Sequence, residues 1–390
     1  MRILVAFDKF KDALTAPQAC AAAAQSLQVR FPGCFVDQCP LADGGEGFSS
    51  ILTAAAGGER RTARVMGPRG ESVTGAFGLV NTARIPAAAR SRLGEIGERP
   101  GDFPRLGLVE MAEASGLQLV PREQRNPWQT TSVGTGELIR SAVQAGAQAV
   151  LLGVGGSATH DLGLGALAAL GLRLEDAAGA RVYPPFPQTW PRIVKIAGKT
   201  ALPPLFLACD VSNPLLGERG AAAVYGPQKG LVPADLPRLE AESERLASLI
   251  LAWAGEPADA LREPGAGAAG GIGFGLRVGA RARLVPGADL IGDWLDVTRR
   301  AAAADLVITG EGRFDRSSAE GKGPGSLAVL AASLGKPVWI LAGQVDVPPD
   351  HRRPGWALSA ITPAGMPLAE ALASAEINLR RAVERASLTR

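Results

Sequence analysis

An apolar run, Ala149-Val150-Leu151-Leu152, opens into Gly153-Val154-Gly155-Gly156-Ser157-Ala158-Thr159-His160-Asp161. Glycines such as Gly155 and Gly156 let a backbone come within hydrogen-bond reach of a ligand, and successive N–H groups in such a turn cradle an anion. Ser157 and Thr159 add hydroxyl donors, and Asp161 adds a carboxylate where a metal or an attacking hydroxyl would sit. Phosphate handling is the chemistry this stretch points to. His160, alone in the loop, reads as a hydrogen-bonding filler rather than a catalyst.

Further groups of the same kind recur along the chain. Thr309-Gly310-Glu311-Gly312-Arg313-Phe314-Asp315 follows a strand-like run, the position where open parallel sheets bind ligands. Glu311 or Asp315 could hold magnesium, and Arg313 could grip a phosphate or carboxylate with its fork. Gly321-Lys322-Gly323-Pro324 then opens a helix, where Lys322 suits an anion. Asp8-Lys9-Phe10-Lys11 lies just past the first strand by the same rule. In Leu41-Ala42-Asp43-Gly44-Gly45-Glu46-Gly47, Asp43 and Glu46 stand three apart and could converge on one cation, although either acid alone reads equally as a helix cap. Asp210, ending Leu205-Phe206-Leu207-Ala208-Cys209-Asp210, is a candidate base or metal ligand. Arg125-Asn126-Pro127 and Thr130 to Gly136 form a donor-rich loop ahead of a helix, and Tyr225 to Gly230 carries Lys229. Gly265, Gly267 and Gly270 spell a formal G-x-G-x-x-G. The dinucleotide fingerprint needs a strand immediately before it, and Arg262-Glu263-Pro264 stands there instead. Gly321-Lys322 likewise lacks the spacing of a Walker A loop.

The elements that must position these groups read as α/β. Ile3 to Phe7 is a buried-strand run. Ala13 to Val29 is alanine-rich and helical, with Thr15 as N-cap and Pro17 in the first turn. The alternation returns late in the chain: a strand at Asp305 to Thr309, a helix around Gly325 to Leu334, strands at Pro337 to Ala342 and Trp356 to Ile361, and a helix from Leu368 to Ala386. Both chain ends are therefore expected in one parallel sheet. The glycine-rich middle reads as an insertion, giving expected domains of 1–63 with 287–390, and 64–286. Arg84 to Pro104 has no clear periodicity and reads as a surface excursion.

Composition narrows the partners. A chain of 390 residues, 46% hydrophobic and 20% charged, is globular and long enough for two domains. Its formal net charge of +3 and lack of a basic tract speak against nucleic acid. No stretch has membrane-spanning length, and the four cysteines, Cys20, Cys34, Cys39 and Cys209, lack zinc or redox spacing. A cytoplasmic protein with reduced thiols is expected, and the 2 histidines exclude a multi-histidine metal site. Lysines are few, and Lys9, Lys11, Lys229 and Lys322 all lie in loops beside the candidate sites.

Taken in order, these segments resemble the bacterial glycerate kinases that convert D-glycerate to 2-phosphoglycerate. The likeness runs from Asp8-Lys9-Phe10-Lys11 through Asp43-Gly44-Gly45-Glu46, Arg125-Asn126-Pro127, Gly134-Thr135-Gly136-Glu137 and Gly155-Gly156-Ser157. It continues through Cys209-Asp210, Gly226 to Gly230 and Pro264 to Gly271, and closes with Thr309 to Arg313. The resemblance implies a flavodoxin-like domain made from both chain ends, an inserted α/β domain, and ATP with magnesium (Mg2+). Within that expectation, Gly155, Gly156, Ser157, Thr159, Gly265, Gly267, Gly270, Lys229 and Lys322 serve ATP. Asp8, Lys9, Arg125, Asn126 and Glu311 serve glycerate, and Asp43, Glu46 and Asp210 serve the metal. Catalysis is expected of Asp210, then Asp161, with Lys11 and Arg313 neutralising charge. A homodimer is compatible with the sequence. The chain departs from the family at Lys9, where Ser is usual, at His160, where Asn is usual, and at Ser317-Ser318, where Gln-Thr is usual. The competing readings are an NAD(P)-dependent oxidoreductase using Gly265 to Gly270, and a non-catalytic sensor of sugar acids or nucleotides.

Overall fold

The computed structural model describes residues 1–94, 103–321 and 323–385, so Lys322 and part of the 84–104 excursion lie outside the described residues. It divides into two compact units, Met1–Asp43 with Ile291–Arg390, and Gly44–Leu290. The expected divisions at 63/64 and 286/287 thus shift to 43/44 and 290/291. The reason for the first is register. Strand Glu59–Met66 pairs antiparallel with Ser72–Asn81 along its whole length, which commits it to the second unit's sheet.

The first unit is a five-stranded parallel sheet in the spatial order Phe35–Gln38, Arg2–Phe7, Leu306–Gly310, Val338–Ala342, Trp356–Ala360. In sequence terms this is the flavodoxin-like 2-1-3-4-5 order, whose switch point lies between the first and third strands. Here these are Arg2–Phe7 and Leu306–Gly310. Ile3 to Phe7 and Val307 to Ile308 are fully buried, as continuous apolar runs covered on both faces should be. Helix Ala16–Arg30 packs beside them. Its Thr15 N-cap and Gln18 form a reciprocal capping box, and Pro17 occupies the first turn. The expected helix from 368 to 386 is two helices, Leu368–Ala373 and Ala375–Arg385, parted at Ser374, whose φ of −103° and ψ of 9° end the first.

The second unit is a mixed six-stranded sheet. Arg283–Val285, Leu205–Ala208, Ala149–Gly153 and Arg105–Glu110 run parallel, and Ser72–Asn81 and Glu59–Met66 continue it antiparallel. Helices Val133–Gln144, Leu236–Ala254 and Ala268–Ala280 contribute buried side chains to its core, including Leu138, Ile250 and Phe274. All four cysteines are free thiols. Among the described residues no helix is long and apolar enough to cross a membrane.

Candidate functional site

Each unit gathers polar residues at the carboxyl ends of its parallel strands, and the two gatherings differ in kind. In the first unit a cavity of about 900 Å³ opens beyond the strand ends. Its polar lining comes from the segments after Arg2–Phe7 and Leu306–Gly310, namely Asp8, Lys9, Lys11, Asp43, Glu311 and Arg313. The switch point explains why: the strands' connections leave in opposite directions there and expose a crevice between the loops. A backbone bond from the Asp8 N–H to Gly310 O, 3.0 Å, ties the two loops together.

Acids and bases share this cleft, and the acids are the more numerous. Lys9 Nζ stands 3.2 Å from Asp43 Oδ1 and 3.9 Å from Asp8 Oδ1. Glu311 accepts a 2.6 Å bond from Ser318 Oγ. Burial, and then the charges of Asp8, Asp315 and Asp43, push the Glu311 carboxyl up to about 7 despite that donor. Arg313, mostly exposed, pairs with Asp346 at 2.6 Å. Asp315, expected as an alternative metal ligand, caps helix Arg316–Ala319 by accepting the Ser317 and Ser318 N–H groups. Ser318, one of the departures from the family pattern, thus serves both the cap and Glu311.

The second unit's polar residues are enclosed. Asp161 is 1% exposed and accepts five hydrogen bonds: from Ser132 N (2.6 Å), Ser132 Oγ (2.8 Å), Thr131 Oγ1 (3.3 Å), and the N–H groups of Gly163 and Gly165 (3.2 Å each). Burial raises its pKa, and the Ser132, Gly165 and Gly163 donors pull against that rise. Lys229, also buried, donates to Ser157 Oγ at 2.8 Å and to Thr159 O at 2.6 Å. Burial lowers its pKa to about 7, with the Asp161 charge opposing. His160 Nε2 meets Ser243 Oγ at 3.1 Å, and burial and the nearby Lys229 lower its pKa to about 3. The imidazole is therefore neutral, a role closer to the amide usual at that position than to an acid–base group.

The glycines are explained by close backbone approach. A Cβ on Gly155 would lie 2.6 Å from Gly45 Cα, and the Gly155 N–H already donates to Gly44 O. A Cβ on Gly270 would lie 2.1 Å from Thr159 O, and one on Gly267 2.2 Å from Pro214 O. Gly265 needs its φ of +83°, and a Cβ there would press on Leu284. Gly156, at φ +71°, has more room, with Ala112 Cβ at 3.4 Å. No strand precedes the 265–270 run; Ala258–Leu261 is a 3-10 helix. The strand demanded just before a dinucleotide fingerprint is absent there, and close packing at Gly265, Gly267 and Gly270 leaves no room for a Cβ.

Asp210 is exposed and sits past the end of strand Leu205–Ala208, where both its oxygens accept the Ala288 N–H at 3.0 and 2.9 Å. It caps helix Gly287–Trp294 and keeps a solvent-facing side. Arg125 is half-buried and bonds Val120 O through Nε at 3.4 Å. Asn126 Oδ1 caps the turn at Pro127–Gln129. Among the described residues no group of three or more acids, histidines or cysteines is placed to hold a metal ion.

One buried acid escaped the sequence reading. Glu110 ends strand Arg105–Glu110 and accepts the N–H groups of Gly47 (3.0 Å) and Ser49 (3.1 Å). Burial pushes its pKa up to about 8. It pins the start of helix Phe48–Ala55, and with it the glycine loop that rests on Gly155. The available signal was an acid closing the apolar run Leu106-Gly107-Leu108-Val109-Glu110.

With this geometry in hand, comparison with known proteins is consistent over nearly the full length. Residues 3–389 match the model of the glycerate kinase family. The chain is 37% identical to a glycerate kinase of Bacillus subtilis strain 168 over 390 residues, covering 98% of this chain and 95% of that one. It is 36% identical to a glycerate 2-kinase of Escherichia coli K12, covering 98% and 96%. A crystal structure from Salmonella typhimurium LT2, described as a glycerate kinase 2, superposes with a TM-score of 0.73 at 36% identity, covering 98% of this chain and 96% of that one.

Proposed function

The chain belongs to the glycerate kinase family, and from that premise we propose that it phosphorylates D-glycerate with ATP, forming 2-phosphoglycerate. The observation that carries this reading is the end-to-end likeness to a protein named glycerate 2-kinase, which leaves neither unit unmatched.

Phosphoryl transfer asks a protein chiefly to position two substrates and neutralise charge. Lys9, Lys11 and Arg313 are the cations we assign to the phosphates, because they line a cleft in which carboxylates also crowd. Asp43 and Glu311 are the ligands we assign to magnesium. Their all-oxygen chemistry suits that ion, which commonly takes only one or two carboxylates and completes its shell with phosphate and water. The upward push on Glu311 is the strain a cation would relieve. Bound there, magnesium would screen the phosphate charge from the incoming hydroxyl. Asp210 is assigned to orient that hydroxyl, since its carboxylate is exposed while Asp161 is enclosed by five donors. Arg125 is assigned to the glycerate carboxylate, because only its Nε is held by Val120.

The test is an ADP-release assay with D-glycerate, run alongside a direct enolase-coupled assay. Enolase consumes 2-phosphoglycerate but not its 3-isomer, so signal in both assays supports the reading. ADP release without enolase signal would reassign the hydroxyl, and no ADP release would end the proposal. Asp210→Asn should lower kcat by roughly 10²–10⁴-fold with little change in the KM for glycerate. Turnover near wild type would withdraw that role from Asp210.

A further inference from the structure

The first unit's cleft has a side that the reaction described so far leaves unused. Besides its charged groups, the lining includes Ile361, Met366, Leu368, Ala371, Leu372 and Ala375, all from the segment after the last strand. Leu368 is 75% exposed, a large aliphatic group left at the rim. We propose that this wall seats the adenine ring of the nucleotide, with the triphosphate running toward Lys9, Lys11 and Arg313. The inference rests on the kinase reading above and deepens it by assigning the nucleotide to the first unit.

Three observations carry it. The first is size. At about 900 Å³ the cavity falls near the top of the roughly 300–1,000 Å³ range of sites that engulf ligands far larger than a three-carbon acid. The second is the mixed chemistry of the lining, charged groups together with aliphatic ones. Glycerate is polar on every carbon and gives an aliphatic wall nothing to bury. A nucleotide is apolar at the base and charged at the phosphates, and has a use for both kinds of lining. The third is the state of the glycine run at 265–270. A Cβ on Gly267 or Gly270 would strike protein backbone, so the missing side chains there serve internal packing. The excess of carboxylates in the lining (Asp8, Asp12, Asp43, Glu311 and Asp346) disfavours a bare triphosphate and favours its magnesium complex.

The test is binding of the fluorescent analogue mant-ADP with magnesium chloride and no glycerate, so the readout needs no turnover. Wild type should bind saturably, and Leu372→Arg should weaken binding by roughly tenfold or more, the loss of a buried aliphatic contact. Leu368→Glu, at an exposed position where folding is not at stake, should weaken it in the same direction by less. Hydrogen exchange should slow across residues 361–375 when magnesium and ADP are added. In turnover, both variants should raise the KM for ATP and leave the KM for glycerate unchanged. Unaltered mant-ADP affinity in both variants, or a rise confined to the KM for glycerate, would overturn the assignment. If mant-ADP binds as expected but D-glycerate yields no ADP, the kinase reading fails while the seat for the base stands.

Discussion

The first unit and the second both place acids, a lysine and glycines at the carboxyl edge of a parallel sheet, yet they treat them oppositely. In the first, Asp8, Lys9, Asp43 and Glu311 line a cavity of about 900 Å³, where Lys9 pairs with Asp43 and burial still pushes Glu311 up to about 7. In the second, Asp161 and Lys229 are buried and their hydrogen-bonding capacity is taken up by Ser132, Thr131, Gly163, Gly165, Ser157 and the Thr159 carbonyl. The lesson is that residue type and loop position together identify where chemistry is possible. Only the local supply of donors and acceptors decides whether a charge is kept for a ligand or consumed by the fold.

The contrast can be broken most sharply at Asp161. Asp161→Ala strands five donors in a sealed space and should cost roughly 3–5 kcal/mol in a urea unfolding titration. A midpoint equal to wild type would show that the network is ornamental. Glu110→Gln should come next. Its amide can accept only one of the two N–H bonds and sets an NH2 against the other, costing about 1–3 kcal/mol. Lys9→Ser, in the open cleft, should change unfolding free energy by only about 0.5 kcal/mol or less, while shifting the KM for ATP. A stability loss at Lys9 comparable to that at Asp161 would erase the distinction.

The smallest expected effect is in pH. Glu311 titrates near 7 in the folded chain against an ordinary value of 4.5. Between those values the folded state holds a proton that the unfolded state releases. Stability from this group is therefore present below about pH 4.5 and lost as pH rises toward 7. Glu311→Gln should flatten this part of the Tm profile measured from pH 5 to 8, and magnesium should do the same to wild type. An unchanged slope would show that burial does not hold a proton on Glu311 in the folded chain.

Much of the architecture was legible because it is written in short apolar runs. Ile3 to Phe7, Val307 to Ile308 and Ala149 to Leu152 are continuous and buried, and Thr15-Ala16-Pro17-Gln18 carries its own cap. Positions past strand ends followed from the same rule, and Asp8, Glu311, Ser157 and Asp210 do stand beyond the strands Arg2–Phe7, Leu306–Gly310, Ala149–Gly153 and Leu205–Ala208. The roles of the glycines were not legible. A glycine that meets a phosphate and one that meets Gly45 Cα look identical in a sequence, since both are selected for the absence of a Cβ. Glu110 was hidden by its neighbours, because its partners Gly47 and Ser49 lie about 60 positions earlier and pair only through the tertiary fold. The apolar wall was hidden for a related reason. Ile361, Met366 and Leu372 belong to different local elements, and only the loop between them turns all three toward one hollow.

The pairing of Ile3 with Leu306 and of Phe7 with Gly310 has a consequence in time. Strand Arg2–Phe7 is synthesised well before Leu306–Gly310, its partner on one side. At about 5–20 residues per second, roughly 15–60 s pass before residue 306 is synthesised. Throughout that interval helix Ala16–Arg30 and strand Phe35–Gln38 can shield the strand on their own sides, while everything needed for the intervening six-stranded sheet emerges and closes. The segment from Leu306 onward therefore acts as a clasp, and truncation before it should leave one edge of Ile3 to Phe7 open to aggregation and to the chaperones that read such segments.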